Sequence, residues 1–297
     1  MATLSPTPQP GVPSTVPRRW VARNLRQTIL HVVLLLLLFL TLYPALQMLI
    51  FSFKNPEQWQ HDRWLPTFPL HVQSYAVAWD NVLHYLFNTV LVATVGTTGM
   101  LALSSLTAFV FARMRFPGRE LLYFAIIVTL MVPAVLSLIP AYVLYHQLGL
   151  LNTYGALIVP IIAGGSVFGV FLLRTFFASL PEELFEAARI DGCGALGQYW
   201  RICIPLSYPI LGTLAILQVI STWNDYIWPS LAINNDNFQV ITVGLVRLTN
   251  SSVQSDPNSA YGPLFAAYVL AAAPILLLFL FASKYYIEGL VSSGLKL

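Results

Sequence analysis

Two glycine-rich patterns in this sequence resemble sites that bind phosphate groups. Gly192, Gly194 and Gly197 match the G-x-G-x-x-G fingerprint of dinucleotide-binding proteins. That fingerprint needs a preceding β-strand and a βαβ unit, whereas a charged helical sequence precedes these glycines and an apolar stretch follows them. A second pair of glycines, within 289–296, has P-loop spacing, but its lysine comes one place late. The histidines show no metal-ligand spacing, so we expect no nucleotide, metal or catalytic site in this chain.

Residues 180–205 form a polar, charged segment between two apolar stretches, and this pattern indicates a surface on which a partner could dock. Pro181 can occupy the first turn of a helix, and the two glutamates that follow it lie where the helix dipole favours acidic side chains. Gly192 allows a sharp reversal, after which a second helical piece can lead back and end at Pro205. Two alanines before Gly192 would let a partner groove close tightly on this helix–turn–helix. An amphipathic loop at a membrane surface fits these residues equally well, so both interpretations stay open.

The elements around this polar segment are too apolar for a soluble protein. Of 297 residues, 57% are hydrophobic and 9% are charged, whereas soluble domains carry about 25% charged residues. A membrane-spanning helix needs roughly 20 mostly apolar residues. Six stretches meet this requirement, namely 28–53, 86–112, 120–145, 154–177, 206–231 and 263–285. The sequence therefore predicts an all-α membrane protein with six transmembrane helices, and the polar segment lies between the fourth and the fifth.

The distribution of charge predicts the orientation of these helices. Short cytoplasmic loops carry an excess of lysine and arginine. With six spans, only Lys54, Arg63 and Arg247 of the 15 basic residues fall on the opposite side, so both termini and the polar segment are predicted to be cytoplasmic. The net charge of +3 is too small to indicate nucleic-acid binding. Cys193 and Cys203 indicate neither a disulfide framework nor a metal site.

Polar residues inside the apolar stretches are candidates for a substrate path. Asn88 opens the second stretch, and Gln218, Trp223, Asn224 and Asp225 lie in the fifth. An aspartate at a helix centre costs about 2.5–3.5 kcal/mol on insertion scales, so it normally faces a partner or a water-filled cavity. We interpret these five residues as candidates that line a substrate path. Asp225 also fits a second interpretation, in which Trp223, Tyr226 and Trp228 form an interfacial aromatic belt and the carboxylate of Asp225 is solvated.

Several other features bear on the architecture. Gly165 and Gly169 are spaced to let two helices approach closely. Residues 1–27 are proline-rich and basic and are predicted to be a disordered N-terminus. Residues 54–85 hold tryptophans that suit a membrane interface or a partner. Residues 232–262 are predicted to be a polar loop, which either contacts an external partner or is simply solvated.

The polar segment also carries a family motif. Glu186–Ala188, three residues, Gly192, nine residues and then Ile202–Pro205 resemble the EAA loop of binding-protein-dependent ABC importer permeases. The family pattern is E-A-A-x3-G-x9-I-x-L-P, and Ile204 replaces the usual leucine, which is a mild apolar exchange. The resemblance covers roughly residues 28–297 and is closest to the second, maltose-type permease subunit of the carbohydrate branch. Matches to that branch are Phe171–Arg174, Leu180–Leu184, Glu186–Gly192 and Trp223–Asp225.

The resemblance implies a transport mechanism. Residues 28–290 would be a permease domain in a bacterial plasma membrane, with a coupling helix seated in a separate ATP-binding subunit and a tail, 291–297, that reaches toward it. This chain would hold no cofactor, because two ATP-binding subunits would bind ATP and magnesium. Its other partners would be a second permease subunit, an extracytoplasmic sugar-binding protein and membrane lipid. The residues implied in ATPase coupling are Glu186, Ala187, Ala188, Asp191, Gly192 and Pro205.

Other classes of membrane protein explain the sequence less well. A stand-alone secondary transporter would need acidic residues deep in the bundle and usually an internal repeat, and the sequence shows neither. An intramembrane enzyme would need paired aspartates, a histidine cluster or a serine dyad at depth. An ABC importer permease for a solute other than a sugar remains an alternative, because the motif reports on coupling and not on cargo.

Overall fold

The computed structural model describes residues 18–62, 64–255 and 261–294, and within these ranges the regular structure is helical. The first helices are α1 (Arg18–Ser52), α2 (Pro56–His61), α3 (Gln73–Arg113), α4 (Arg119–Val128), α5 (Leu138–Gln147), α6 (Tyr154–Ala178) and α7 (Glu182–Ile190). The remaining helices are α8 (Ala195–Gln198), α9 (Ile204–Leu206), α10 (Tyr208–Asn224), α11 (Ile227–Ala232), α12 (Ile241–Ser255) and α13 (Tyr261–Gly294). Short 3-10 turns cover Thr129–Met131, Ala134–Ser137 and Asp236–Phe238, and a π-helical turn joins α8 to α9.

The predicted all-α membrane fold is confirmed, with two of the spans bent. Within α1, α3, α6 and α13, segments of the described chain are long and apolar enough to cross a membrane unaided. The third predicted stretch bends by 95° between Met131 and Ala134. Pro133 accounts for this bend, because it has no amide hydrogen to continue the helix and its ψ of 127° is extended. A second bend, of 76°, separates α8–α9 from α10.

Several predicted boundaries differ from the structure. The helix that contains the second span begins at Gln73 and not near residue 86. The end of the tryptophan-containing segment 54–85 is part of this helix. Helix α1 begins at Arg18, ten residues before the predicted first span, while residues 1–17 and 295–297 lie outside the described residues. The fifth predicted stretch, 206–231, is interrupted after Asn224.

The segment 232–262, predicted as one polar loop, contains a 3-10 turn and helix α12. Ile241 and Val243 are buried at the start of α12. Gly244 lies so close to Tyr85 of α3 that a Cβ atom there would come within 2.5 Å of the ring. These packing contacts hold the segment as a helix. The loop prediction was wrong for α12 because it considered only the polarity of individual residues.

Helices α3 and α6 form the centre of the bundle. A Cβ atom on Gly169 of α6 would lie 2.7 Å from the Cβ of Ser104 in α3, and one on Gly165 would lie 3.0 Å from Met100 Cγ. The hydroxyl of Ser166, between these glycines, donates a hydrogen bond to the Met100 carbonyl at 3.4 Å. The close approach predicted for the glycine pair is therefore confirmed, and the partner helix is α3.

Candidate functional site

Helix α7 is a short amphipathic helix that ends in a well-formed cap. Gly192 follows it with φ of +78°, the left-handed conformation that favours glycine. The Cys193 amide donates to the Ala188 carbonyl at 2.8 Å, and the Gly192 amide donates to the Arg189 carbonyl at 3.1 Å. These two bonds are the Schellman arrangement, which satisfies the last carbonyls of a helix. The sharp reversal predicted at Gly192 is confirmed. The chain then returns through α8 and α9, and α9 ends at Leu206, one residue after the predicted end at Pro205.

One aromatic side chain anchors α7 to the transmembrane bundle. Phe185 is 2% exposed and packs into a core formed with Phe109 of α3, Phe177 of α6 and Tyr199. The Tyr199 hydroxyl is also within 2.7 Å of the Ser105 hydroxyl of α3, so the returning segment is held by the same helix. The polar segment is therefore fixed to the ends of α3 and α6 and is not a loosely associated surface loop.

Arg113, the last residue of α3, joins three elements at this point, and the sequence analysis gave it no role. Its side chain is 9% exposed and contacts Glu182 of α7 at 2.5 Å. It also donates to the carbonyls of Phe177 and Leu180, at 2.6 and 2.7 Å, which lie at the C-terminal end of α6 and beyond it. The guanidinium carbon lies 4.0 Å from the centre of the Phe185 ring. Arg113 thus pairs with Glu182 and donates to two carbonyls at and beyond the end of α6, where regular helical hydrogen bonding stops.

The described residues leave the face of α7 opposite Phe185 uncovered. Ile190 is 86% exposed, and Leu184 and Ala187 are also exposed. Glu186 projects from the same helix with a 62% exposed side chain, and its contact with Arg189, at 3.9 Å, is longer than a hydrogen bond. The predicted coupling residues Asp191, Gly192 and Pro205 are likewise exposed, while Ala188 is half-buried. An anchored helix with an exposed apolar face and an available carboxylate has the surface of a docking site.

The left-handed cap yields a local stability prediction. Replacing Gly192 with alanine should cost about 1–2 kcal/mol, because an L side chain is strained at positive φ. The amides of residues 191–193 should then exchange with deuterium roughly 5–30 times faster. Gly194→Ala is the matched control, because Gly194 has φ of −67° and, like Gly192, has no atom within 4 Å of an added Cβ. Equal exchange rates in the two variants would contradict the proposed cap.

Two of the predicted path residues are buried among other parts of this chain. Asn88 lies in the N-terminal half of α3, 25 residues before Arg113 and remote from α7. We call the part of the bundle around Asn88 the far end. Its amide nitrogen donates to the carbonyls of Asn237 and Gln239 at 2.8 and 2.9 Å, and its oxygen accepts from the Tyr154 hydroxyl at 2.7 Å. Trp223 is 8% exposed and packs against residues of α3 and α13. Trp223 therefore belongs to the core and not to an interfacial aromatic belt.

The other three path residues lie on or after α10. Gln218 donates to the Thr222 hydroxyl at 3.1 Å and lies against Gly165 of α6. The exposed Asn224 bonds the carbonyl one turn before it, at 2.8 Å. The carboxylate of Asp225 interacts with the backbone amides of Ile227 and Trp228, which begin α11, at the interruption of the predicted fifth span. The structure does not bring the five residues into one cavity, and the substrate path stays a prediction.

The sequence profile of the family described as "Binding-protein-dependent transport system inner membrane component" matches residues 100–290. This range includes α7, its cap and Arg113. The chain is 33% identical over 280 residues to the probable ABC transporter permease protein YurM of Bacillus subtilis, covering 94% of this chain and 91% of that protein. It is 31% identical over 294 residues to the maltose/maltodextrin transport system permease protein MalG of Escherichia coli, covering 93% and 97%.

Another relative is named for a different solute. The sn-glycerol-3-phosphate transport system permease protein UgpE of Yersinia enterocolitica is 34% identical over 208 residues, which cover 70% of this chain and 72% of that protein. Among solved structures, a chain of a bacterial ABC transporter involved in the import of alginate superposes with a TM-score of 0.78 at 22% identity, covering 89% of this chain and 98% of that one. This likeness supports the fold. Together with the exposed EAA segment, the profile and the relatives show that the chain belongs to the inner membrane component family of binding-protein-dependent transport systems.

Proposed function

We propose that this chain is a permease subunit of an ATP-driven importer for a sugar or oligosaccharide, and that α7 is the surface on which an ATP-binding subunit docks. The observation that carries the proposal is the combination of a buried anchor with an uncovered opposite face. Phe185 and Arg113 fix α7 to the bundle, while Glu186, Ala187 and Ile190 remain exposed. A force applied to this face would therefore be transmitted to the transmembrane helices.

The exposed residues of α7 suit a closely fitting protein partner. Ala187 and Gly192 add little side-chain volume, so a cleft can approach the helix backbone. Glu186 offers an acidic group to a basic residue in that cleft, and Ile190 offers apolar area at its rim. ATP and magnesium are proposed to bind the ATPase subunits, and this face, with both chain termini, is proposed to be cytoplasmic, as the distribution of basic residues indicates.

Completion of the transporter requires further subunits. Helix α1 and the bent pair α4–α5 expose most of their apolar side chains, which lipid and a second permease subunit would cover. At the far end, the proposed external face, a soluble binding protein would deliver the cargo. Sugar is the favoured cargo because the maltose-type relative covers nearly the whole chain. A phosphorylated polyol is the second candidate, because the relative UgpE is named for sn-glycerol-3-phosphate.

The test of this function is ATP-dependent uptake into proteoliposomes by the complete transporter. Uptake of a radiolabelled oligosaccharide should require ATP on the side of the ATPase subunits and should not respond to an ion gradient alone. ATP-dependent uptake of radiolabelled sn-glycerol-3-phosphate, without uptake of the oligosaccharide, would assign the second cargo. Uptake driven by an ion gradient in the absence of the ATPase subunits would overturn the proposal as a whole.

Charge reversal at Glu186 tests the docking role of α7. Glu186→Lys should lower ATP-dependent uptake more than tenfold, because losing one partner of a buried interfacial charge pair costs about 2–5 kcal/mol. Glu183→Lys is the matched control, since Glu183 is an exposed acidic residue of the same helix outside the motif. Copurification of the ATPase subunits shows whether the complex remains assembled. If an assembled Glu186→Lys complex transports at the control rate, α7 does not couple through this residue.

A further inference from the structure

Helix α3 is the most continuous connection between the two ends of the bundle. It runs for 41 residues without a proline, which corresponds to about 60 Å at 1.5 Å per residue. The other long helices of the described chain, α1, α6 and α13, each contain an internal proline, at Pro44, Pro160 and Pro274. The two remaining spans are bent. Because proline and bends weaken the backbone hydrogen-bond ladder, α3 is the best rigid element for transmitting displacement along the bundle.

Near Asn88, α3 also holds a second segment of the chain, residues 233–241. Asn88 makes the three hydrogen bonds described above, two of them to carbonyls of this segment. The adjacent Thr89 hydroxyl accepts the Ile241 amide at 2.8 Å. One turn earlier, the Tyr85 hydroxyl donates to the Asp236 carboxylate at 2.8 Å. Three polar side chains within about one turn of α3, those of Tyr85, Asn88 and Thr89, therefore fasten a segment that lies some 150 residues away in sequence.

The segment 233–241 is also compact in itself. Ile233, Gln239 and Ile241 are almost completely buried. Asp236 is paired with Arg247 at 3.0 Å, and the Asn152 side chain accepts the amides of residues 234 and 235. We expect a segment with these contacts to move as a unit with the helix that holds it. The element that provides most of its buried hydrogen bonds is α3.

We propose that Arg113 is the positioning residue that couples α7 to α3, and that α3 carries the displacement of α7 to the segment 233–241 at the far end. This inference rests on the proposed function, and it names the route by which a docked ATPase changes the external face. Arg113 suits this role because one buried guanidinium contacts α7 through Glu182 and Phe185 and contacts the end of α6 through two carbonyls. Asn88 then acts as the external anchor of the same helix.

A nearby ion pair provides a matched control. Arg174 of α6 contacts both carboxylate oxygens of Glu120 at 2.7 Å and lies 3.7 Å from the centre of the Tyr123 ring. It therefore resembles Arg113 in having a carboxylate partner and an aromatic ring beside it. Among the described residues, its side chain makes no hydrogen bond or ion pair with α7. Removing either arginine removes one ion pair and one ring contact, and of the two only the loss of Arg113 removes contacts with α7.

The first experiment compares ATP hydrolysis in the reconstituted complex with and without cargo-loaded binding protein. In Arg113→Gln the stimulation by binding protein should fall about 5–150-fold, the range of typical coupling energies, while unstimulated hydrolysis is retained. Arg113→Lys should restore part of the stimulation, because it keeps the charge and one hydrogen bond. Arg174→Gln should keep the wild-type ratio. A wild-type ratio in Arg113→Gln, or an equal loss in Arg174→Gln, would overturn the inference.

The second experiment measures the connection directly with spin labels on Glu183→Cys in α7 and Asn234→Cys at the far end, in a Cys193→Ser background. Buried Cys203 should not react. In the complex with native Arg113, the distance between the two labels should be the same without nucleotide and with ATP bound. In Arg113→Gln, this distance should change when ATP binds. If that variant does not assemble, Asn88→Asp, which removes the donors to the far-end segment, should show the same change. A constant distance in an assembled variant overturns the inference, whereas absence of ATP-driven uptake by the wild-type complex overturns the proposed function instead.

Discussion

Replacing Gly169 with valine is expected to prevent α3 and α6 from packing and to remove the folded protein from the membrane. The nearest atoms to an added Cβ are Ser104 Cβ and Oγ, at 2.7 and 2.8 Å. Because both Cβ atoms are fixed to helix backbones, the helices themselves would have to separate. Overpacking of a core typically costs about 1–3 kcal/mol, and a valine at this contact should exceed that range because the central helix pair of the bundle is displaced.

Gly164→Val is the control for this variant, because Gly164 lies on the same helix and has no atom within 4 Å of an added Cβ. The measurement is the yield of monodisperse protein in detergent and the temperature at which it aggregates. Gly164→Val should behave like the wild type, while Gly169→Val should give little or no monodisperse protein. Equal yields would show that the α3–α6 contact tolerates a larger separation than the structure indicates.

Replacing Phe185 with alanine is the second change with a large expected effect. Truncation of a buried phenylalanine costs about 3–5 kcal/mol, and here the ring also stacks beneath the Arg113 guanidinium. The expected result is a folded transmembrane bundle whose α7 is detached. Deuterium exchange in residues 182–193 should therefore rise by at least two orders of magnitude, while exchange in α3 and α6 changes little.

Leu184→Ala is the control for Phe185→Ala, because Leu184 is the neighbouring residue and its side chain faces outward. In the complete transporter, Phe185→Ala should abolish ATP-dependent uptake, since a detached α7 can still meet the ATPase but can no longer move α3. Leu184→Ala should retain copurification of the ATPase subunits or lower it modestly. Protected amides in 182–193 of the Phe185→Ala variant would contradict the anchoring role assigned to this ring.

The spans and the position of α7 followed from the sequence because they depend on local composition. Long apolar stretches, the reversal at Gly192 and the spacing of Glu186–Ala188 are properties of contiguous residues, so helix α7 was predicted correctly. Interruptions were harder to predict. Asp225 was interpreted within one continuous span, whereas the helix stops at Asn224 and the carboxylate of Asp225 interacts with the backbone amides of Ile227 and Trp228, because such local side-chain contacts compete with continuation of the helix.

Residues whose partners are distant in sequence could be interpreted only with the tertiary structure. Tryptophan is a residue type typical of membrane interfaces, but Trp223 is part of the core. Asn88 was predicted to line a path, and its amide is occupied by the segment 233–241. Arg113 counted only as one of many basic residues on the cytoplasmic side. Its contacts to Glu182 and Phe185 arise because α3 ends beside α6 and α7.

The sequence by itself determined the membrane class of the protein, the number of apolar stretches and the motif that a partner can recognise. These properties depend on residues that are neighbours in the sequence, so they can be predicted without knowing which helices are in contact. Only the tertiary structure decided how α7 is held and which helix connects it to the far end. The physical reason is that burial, close helix approach and charge pairing depend on atoms that chain folding brings together, as Gly169 and Ser104 show for packing and Arg113 shows for charge.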